Sequence, residues 1–207
     1  MTEKVSTKPE VPLRACLLIG GRSSRMGRPK HLINGSNGLT WVENTVSLLQ
    51  PFTKDIVLSG AGAVPDTLCS LTRIPDVPDV QGPLTGILAA MRWHPDSCWL
   101  LLACDMPNIT PEAIKWLLSN RSPDIWGVVP RLKEDSFLEP LLAVYEPQAR
   151  EYLEELYKSR CFRISVAARR SKILNPVVPE VLSGAWGNIN TPDELVQSLL
   201  SSDSVSS

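Results

Sequence analysis

The sequence predicts a three-layer α/β fold with a mostly parallel central sheet. Three observations lead there. Short apolar runs alternate with amphipathic segments along the chain. Residues 99–104 are apolar on both faces, as the middle of a parallel sheet demands. The polar residues suited to chemistry directly follow such runs, Gly20 after the first and Asp105 after the central one. In open α/β sheets that is the ligand side, outside the carboxyl ends of the strands.

Taken in order, residues 15–19 read as the first strand. Residues 41–49 read as a helix with Thr40 as its N-cap, and residues 55–59 as a short strand ending at Gly60-Ala61-Gly62. A helix is expected over 84–93 and the central strand over 99–104. Thr110-Pro111-Glu112 then opens another helix, with proline at its first position and an acid in its first turn. Residues 125–129 and 141–145 read as strands and 147–157 as a helix. Thr191-Pro192-Asp193-Glu194 is a capping-box pattern for the last helix. Residues 1–12 and 201–207, the latter with five serines, read as flexible tails around a single domain, residues 13–200.

A chain of 207 residues with 43% hydrophobic content is large enough for a substantial core. The formal net charge of −1 gives no electrostatic case for a nucleic-acid or membrane-surface partner. Cations gather instead at Arg22, Arg25, Arg28 and Lys30, a local arrangement suited to a small anion. Five cysteines (Cys16, Cys69, Cys98, Cys104, Cys161) form no Cys-x-x-Cys pair and no ligand spacing with His31 or His94. They read as free thiols. Residues 1–12 are polar, without the apolar region of a signal peptide, and no apolar stretch reaches the ~18 residues of a membrane span. A cytoplasmic location is expected.

The richest segment runs Leu17-Leu18-Ile19-Gly20-Gly21-Arg22-Ser23-Ser24-Arg25-Met26-Gly27-Arg28-Pro29-Lys30. An apolar strand ends in paired glycines, then hydroxyls and cations. Glycines let backbone N–H groups approach phosphate oxygens, and the cations neutralise the remaining charge. No Lys-Ser/Thr pair follows Gly27, so this is not a Walker A loop, and the glycine spacing is not that of a dinucleotide fold.

Asp105, at the end of the apolar run, is the metal-ligand candidate, with Mg²⁺ as the expected ion. Such an ion uses one or two protein carboxylates and completes its octahedron with phosphate and water. On its own Asp105 reads as a turn residue before Met-Pro; beside the glycine loop the metal reading is favoured. In Gly82-Pro83-Leu84-Thr85-Gly86 the glycines could admit either a nucleoside or a neighbouring helix. Asp76 and Asp79, in a proline-rich loop, could accept hydrogen bonds from a base or ribose or serve as turn residues, the latter more so for Asp79. Asn188 and Asn190 share a face in extended chain and could touch a metal or second substrate, or simply form a turn. His31 reads as a packing or surface residue. Trp186 adjoins the suspected site. There is no Ser/His/Asp or Cys/His set, which fits chemistry done by positioning and metal.

These motifs together resemble the nucleotidyltransferases closest to molybdenum cofactor guanylyltransferase. The resemblance begins at Leu17–Gly27 with Lys30. It continues through Gly82–Gly86, Cys104-Asp105-Met106-Pro107, residues 139–145 and residues 188–195, in the family's order. It implies a Rossmann-like nucleotidyltransferase fold and transfer of a nucleoside monophosphate, GMP foremost, from an Mg-NTP to the phosphate of molybdopterin, with release of pyrophosphate. By resemblance Leu18, Gly20, Gly21, Ser59, Asp76 and Gly82 line the nucleotide, Lys30 meets its phosphates and Asp105 holds Mg²⁺. Arg25, Lys30 and Asp105 form the catalytic group, and Asn188 and Asn190 are candidates for the acceptor. The implied partners are GTP or CTP and a molybdopterin-type acceptor, with molybdoenzyme-maturation proteins as further candidates. The sequence departs from the pattern at Ile19, Ser59 and Glu139 and in the shorter stretch from Gly27 to Lys30. Cytidylyl transfer, another small phosphorylated acceptor and a non-catalytic nucleotide-binding delivery module therefore remain as alternatives.

Overall fold

The computed structural model describes residues 11–19, 29–189 and 194. Among them the apolar runs become strands of one seven-stranded sheet. The strands are β1 (Leu13–Leu18), β2 (Ile56–Ser59), β3 (Thr72–Ile74), β4 (Cys98–Ala103), β5 (Gly127–Val128), β6 (Ala143–Tyr145) and β7 (Ile173–Leu174). Their order across the sheet is β3-β2-β1-β4-β6-β5-β7. The ladders β3–β2, β2–β1, β1–β4 and β5–β7 are parallel, and β6 runs antiparallel to both β4 and β5. The expectation of a mostly parallel sheet holds, with one strand reversed.

Every residue of β4 is buried. Alternate side chains feed opposite cores, as the two-residue period of a strand requires. Leu100 and Leu102 pack with Val42, Val46 and Leu49 of α1 (Trp41–Leu49) and with Ile114 and Leu117 of α3 (Pro111–Ser119). Trp99 and Leu101 face the other way. They pack with Ile87, Leu88 and Met91 of α2 (Leu84–Trp93), Leu153 and Leu156 of α4 (Arg150–Lys158), and Ile164 of α5 (Ile164–Ala167). Three layers result.

The caps predicted at Thr40 and Thr110 are made. The Thr40 side chain accepts from Glu43 N–H while Glu43 accepts from Thr40 N–H, a complete capping box for α1. Thr110 Oγ1 accepts from Ala113 N–H at 3.2 Å and Pro111 opens α3. The helix expected over 147–157 divides into a 3₁₀ turn, Pro147–Ala149, and α4. The strand expected over 125–129 pairs only at Gly127–Val128. β3, β7 and α5 were not anticipated; they are short, and β3 exposes two of its three residues. Of the predicted last helix, Glu194 is described and helical, and the rest of its capping box lies outside the described residues. Val11 packs on the core and Pro12 O accepts from Cys98 N–H. No helix among the described residues is long and apolar enough to cross a membrane.

The direction of chain progression across the sheet reverses around β1. The path runs outward through β2 and β3, then returns over α2 to β4 on the other side of β1. Such a switch point leaves a crevice at the carboxyl ends of β1 and β4. There Cys104 N–H donates to Leu18 O at 3.1 Å, which holds the two strand ends side by side.

Candidate active site at the carboxyl ends of the central strands

Two groups of side chains meet at this edge. In the first, Lys30 Nζ donates to Asp105 Oδ2 at 3.0 Å, joining residues 75 positions apart. Lys30 belongs to the 3₁₀ turn Lys30–Leu32, and Asp105 sits just past β4. Their side chains are 13% and 23% exposed, so the pair lies at the rim of the fold. Ile189 N–H donates to the Asp105 carbonyl at 3.0 Å, which lays the segment carrying the exposed Asn188 against the same strand end.

In the second group Ser59, at the end of β2, donates from Oγ to Asp76 Oδ1 at 2.9 Å. Leu18 and Gly86 complete it: a Cβ placed on Gly86 would lie 2.2 Å from Leu18 Cδ2 and 3.0 Å from Ser59 Oγ. The sequence left nucleoside or helix packing open for Gly86. The structure shows close approach of α2 to the ends of β1 and β2. Gly82 has φ +70° and open space where a Cβ would stand. Asp79, at φ +63°, is a turn residue.

The structure therefore brings together Lys30 with Asp105, and Leu18 with Ser59 and Asp76. Gly20, Gly21, Arg25 and Asn190 lie outside the described residues. Trp186 is a buried packing residue. Its indole Nε1–H donates to Leu142 O at 3.2 Å, and its ring stacks edge-on to Trp116 at 5.6 Å.

Electrostatics at the edge exclude a thiolate. Burial pushes the Cys104 thiol up to about 12, with the Asp105 charge adding to the effect. Burial also raises Cys16 far above its usual range, and the Asp76 carboxylate adds to it. Both thiols stay protonated, so neither is a nucleophile at neutral pH. Glu139 is raised from the ordinary carboxylate range by burial. Among the described residues no three His, Cys, Asp or Glu side chains cluster as a metal cage.

Of the two readings offered for His31, packing is the one the structure shows, and its partner is what escaped sequence reading. His31 is buried, at 4% exposure, and its Nε2 lies 2.7 Å from the Ala63 carbonyl. Its ring fits where Gly62 has no side chain. The signal was present in Gly60-Ala61-Gly62 and in a histidine directly after Lys30, but nothing in the sequence joins positions 31 residues apart.

Residues 15–173 match a family model described as the MobA-like NTP transferase domain. The chain belongs to this family. The match runs from within β1 to the first residue of β7 and so includes Lys30, Ser59, Asp76 and Asp105. Among MobA-like relatives, a probable molybdenum cofactor guanylyltransferase from Bacillus mycoides is 28% identical over 188 residues, 87% of this chain and 92% of the relative. Among solved structures, molybdopterin-guanine dinucleotide biosynthesis protein A from Archaeoglobus fulgidus is similar, with a TM-score of 0.73 and 25% identity. That alignment covers 92% of this chain and 99% of the other. The 2-C-methyl-D-erythritol 4-phosphate cytidylyltransferase from Thermus thermophilus shares the fold at 12% identity, with a TM-score of 0.65 and coverage of 91% and 98%. A MobA-like NTP transferase is a nucleotidyltransferase enzyme, in accord with the fold predicted from sequence.

Proposed function

We propose that this chain transfers GMP from GTP to the terminal phosphate of a molybdopterin-type acceptor and releases pyrophosphate. The observation that carries the reading is the 3.0 Å approach of Lys30 to Asp105 at the switch point of the sheet. A cation and a carboxylate from distant segments, both at the rim, are what a metal-bound triphosphate needs from a protein. The relatives' names favour GTP over CTP and supply the acceptor class.

The reaction is an in-line displacement at the α-phosphorus by an acceptor phosphate oxygen. That oxygen is already ionised at neutral pH, so no general base is required, in keeping with protonated thiols at the edge. The difficulty is repulsion between two anions. Lys30 would bind the NTP phosphates and neutralise charge that grows on the departing pyrophosphate. Arg25 and the backbone amides at Gly20 and Gly21 would share this work. Ser59 and Asp76 would hold the nucleoside, the Ser59 bond fixing the Asp76 carboxylate toward it, with Leu18 and Gly82 along its path. Asn188 and Asn190 are proposed to touch the acceptor, since Asn188 precedes the residue bonded to the Asp105 backbone.

Asp105 suits Mg²⁺: its donors are hard carboxylate oxygens, its bond to Lys30 uses Oδ2 and, among the described residues, leaves Oδ1 available, and it stands at the rim where phosphate oxygens can complete the shell. When bound there, such an ion polarises phosphoryl oxygens and offsets their charge.

Pyrophosphate release from purified protein with GTP, Mg²⁺ and molybdopterin tests this reading. Release that needs the acceptor supports it. Nucleotide binding without release makes the chain a delivery module, and release only with another acceptor reassigns the substrate. A parallel thermal-shift titration with GTP, CTP, ATP and UTP reads the base. Stability rises by RT ln(1 + [L]/Kd), so GTP should give the largest shift.

A further inference from the structure

We propose that His31 is a positioning residue for Lys30. It pins the turn that presents the lysine to the loop that follows the nucleoside-side Ser59, the last residue of β2. The inference rests on the reading that Lys30 works on the phosphates of the NTP.

The geometry is specific. A carbonyl oxygen can only accept, so at 2.7 Å from Ala63 O the Nε2 atom of His31 must carry the hydrogen. The ring occupies a notch that exists because residue 62 is glycine. A Cβ there would stand 2.7 Å from His31 Cε1 and 2.5 Å from Ile19 O. The loop receiving the ring is itself held. Arg73 Nη2 donates to Gly60 O at 2.8 Å and to Gly62 O at 2.7 Å, while Ser59 O accepts from Ile19 N–H at 2.9 Å. On the other side, Lys30–Leu32 is a single 3₁₀ turn, too short to orient itself. Leu32 N–H to Pro29 O and Ile33 N–H to Lys30 O are internal to the turn, and Ile33 O just after it accepts from Trp41 N–H at 2.9 Å, which ties the turn's end to α1 but not to the loop after β2. The His31–Ala63 bond is therefore a cross-link between the turn bearing Lys30 and the loop leading from Ser59. It fixes the spacing between the phosphate-binding cation and the nucleoside-binding pair. A long side chain such as lysine gains catalytic value from being held where charge develops, and loses it when the turn drifts by an ångström.

The test is a kinetic double-mutant cycle on pyrophosphate release with GTP, Mg²⁺ and molybdopterin, run well below each variant's Tm. His31→Ala should lower kcat/KM for GTP at least ten-fold. His31→Gln, whose amide N–H can reproduce the Nε2 donor, should recover most of that loss. In a Lys30→Ala background His31→Ala should cost less than about three-fold more, because the residue through which it acts is already gone. His31→Leu, which still fills part of the notch but has no donor for Ala63 O, should repeat the loss and the same dependence on Lys30, and it serves if His31→Ala does not fold. Equal losses in the wild-type and Lys30→Ala backgrounds, or no rescue by glutamine, would make His31 a structural residue and overturn the proposal. Should Lys30→Ala itself leave turnover unchanged, the reading of the site fails instead, and the two failures are told apart by that arm.

Discussion

Gly86→Ala probes the nucleoside side of the site through one methyl group. The added Cβ would meet Leu18 Cδ2 at 2.2 Å and Ser59 Oγ at 3.0 Å. Leu18 is half-buried at the rim, so its end can rotate outward, into space assigned to the nucleotide. Ser59 Oγ must give by a few tenths of an ångström, and the same oxygen makes the 2.9 Å bond to Asp76. Overpacking of this kind costs about 1–3 kcal/mol. Replacing glycine inside a helix returns about 1 kcal/mol. The net loss of stability is then about 0–2 kcal/mol, a shift a chain of this size survives. Binding should suffer more visibly: a displaced Leu18 obstructs the nucleotide and a loosened Asp76 loses about 1–2 kcal/mol of hydrogen bonding, roughly ten-fold or more in Kd. Denaturant unfolding gives the first quantity and calorimetric titration with GTP and Mg²⁺ the second. Unchanged GTP affinity in a folded Gly86→Ala protein would refute the assignment of Leu18, Ser59 and Asp76 to the nucleoside.

Other outcomes follow from single contacts. Asp76→Ala should weaken GTP and narrow the difference between GTP and CTP in thermal-shift titrations, since the Ser59–Asp76 pair is the base- or ribose-facing element; undiminished discrimination removes it from specificity. Thr110→Ala removes the acceptor for Ala113 N–H and should cost about 1 kcal/mol, near 2–4 °C in Tm, with turnover untouched. Burial raises the Glu139 carboxyl in the folded state, so its contribution to stability is full below the unfolded value and is lost as pH rises through the folded one. Glu139→Gln should accordingly be more stable than wild type at pH 7, with the gap closing toward pH 4; a gap that widens on acidification contradicts the burial account.

What the sequence made legible follows the range of the interactions involved. Thr40 and Glu43, or Thr110 and Pro111, are neighbours whose chemistry is local, so α1 was readable to the residue and α3 at its start. Residues 99–104 announced a central strand because both their faces are apolar, and the strand lies one residue earlier, at Cys98–Ala103. The reversal of β6 was not readable, because a buried three-residue strand looks alike in either direction. β3 and β7 stay hidden for a related reason: they are two or three residues long and owe their pairing to neighbours already in place. Within the site, Asp105 stood out at the end of an apolar run and Lys30 at the end of a cationic loop. Their meeting is a property of the switch point. The His31 cross-link was invisible because it depends on an absent side chain at Gly62 and on a carbonyl, neither of which a sequence marks as special.

Lys30 and Asp105 are proposed to serve one triphosphate, and the reaction depends on it. The most direct measurement is the rate of acceptor-dependent pyrophosphate release at saturating GTP and Mg²⁺ for wild type, Lys30→Ala, Asp105→Ala and the double variant. Each single change should lower turnover by about 10²–10³, and the double should fall less than about ten-fold beyond the worse single, as expected for groups acting on the same charge. Wild-type rates in either folded single variant, or losses that multiply fully in the double, would contradict it.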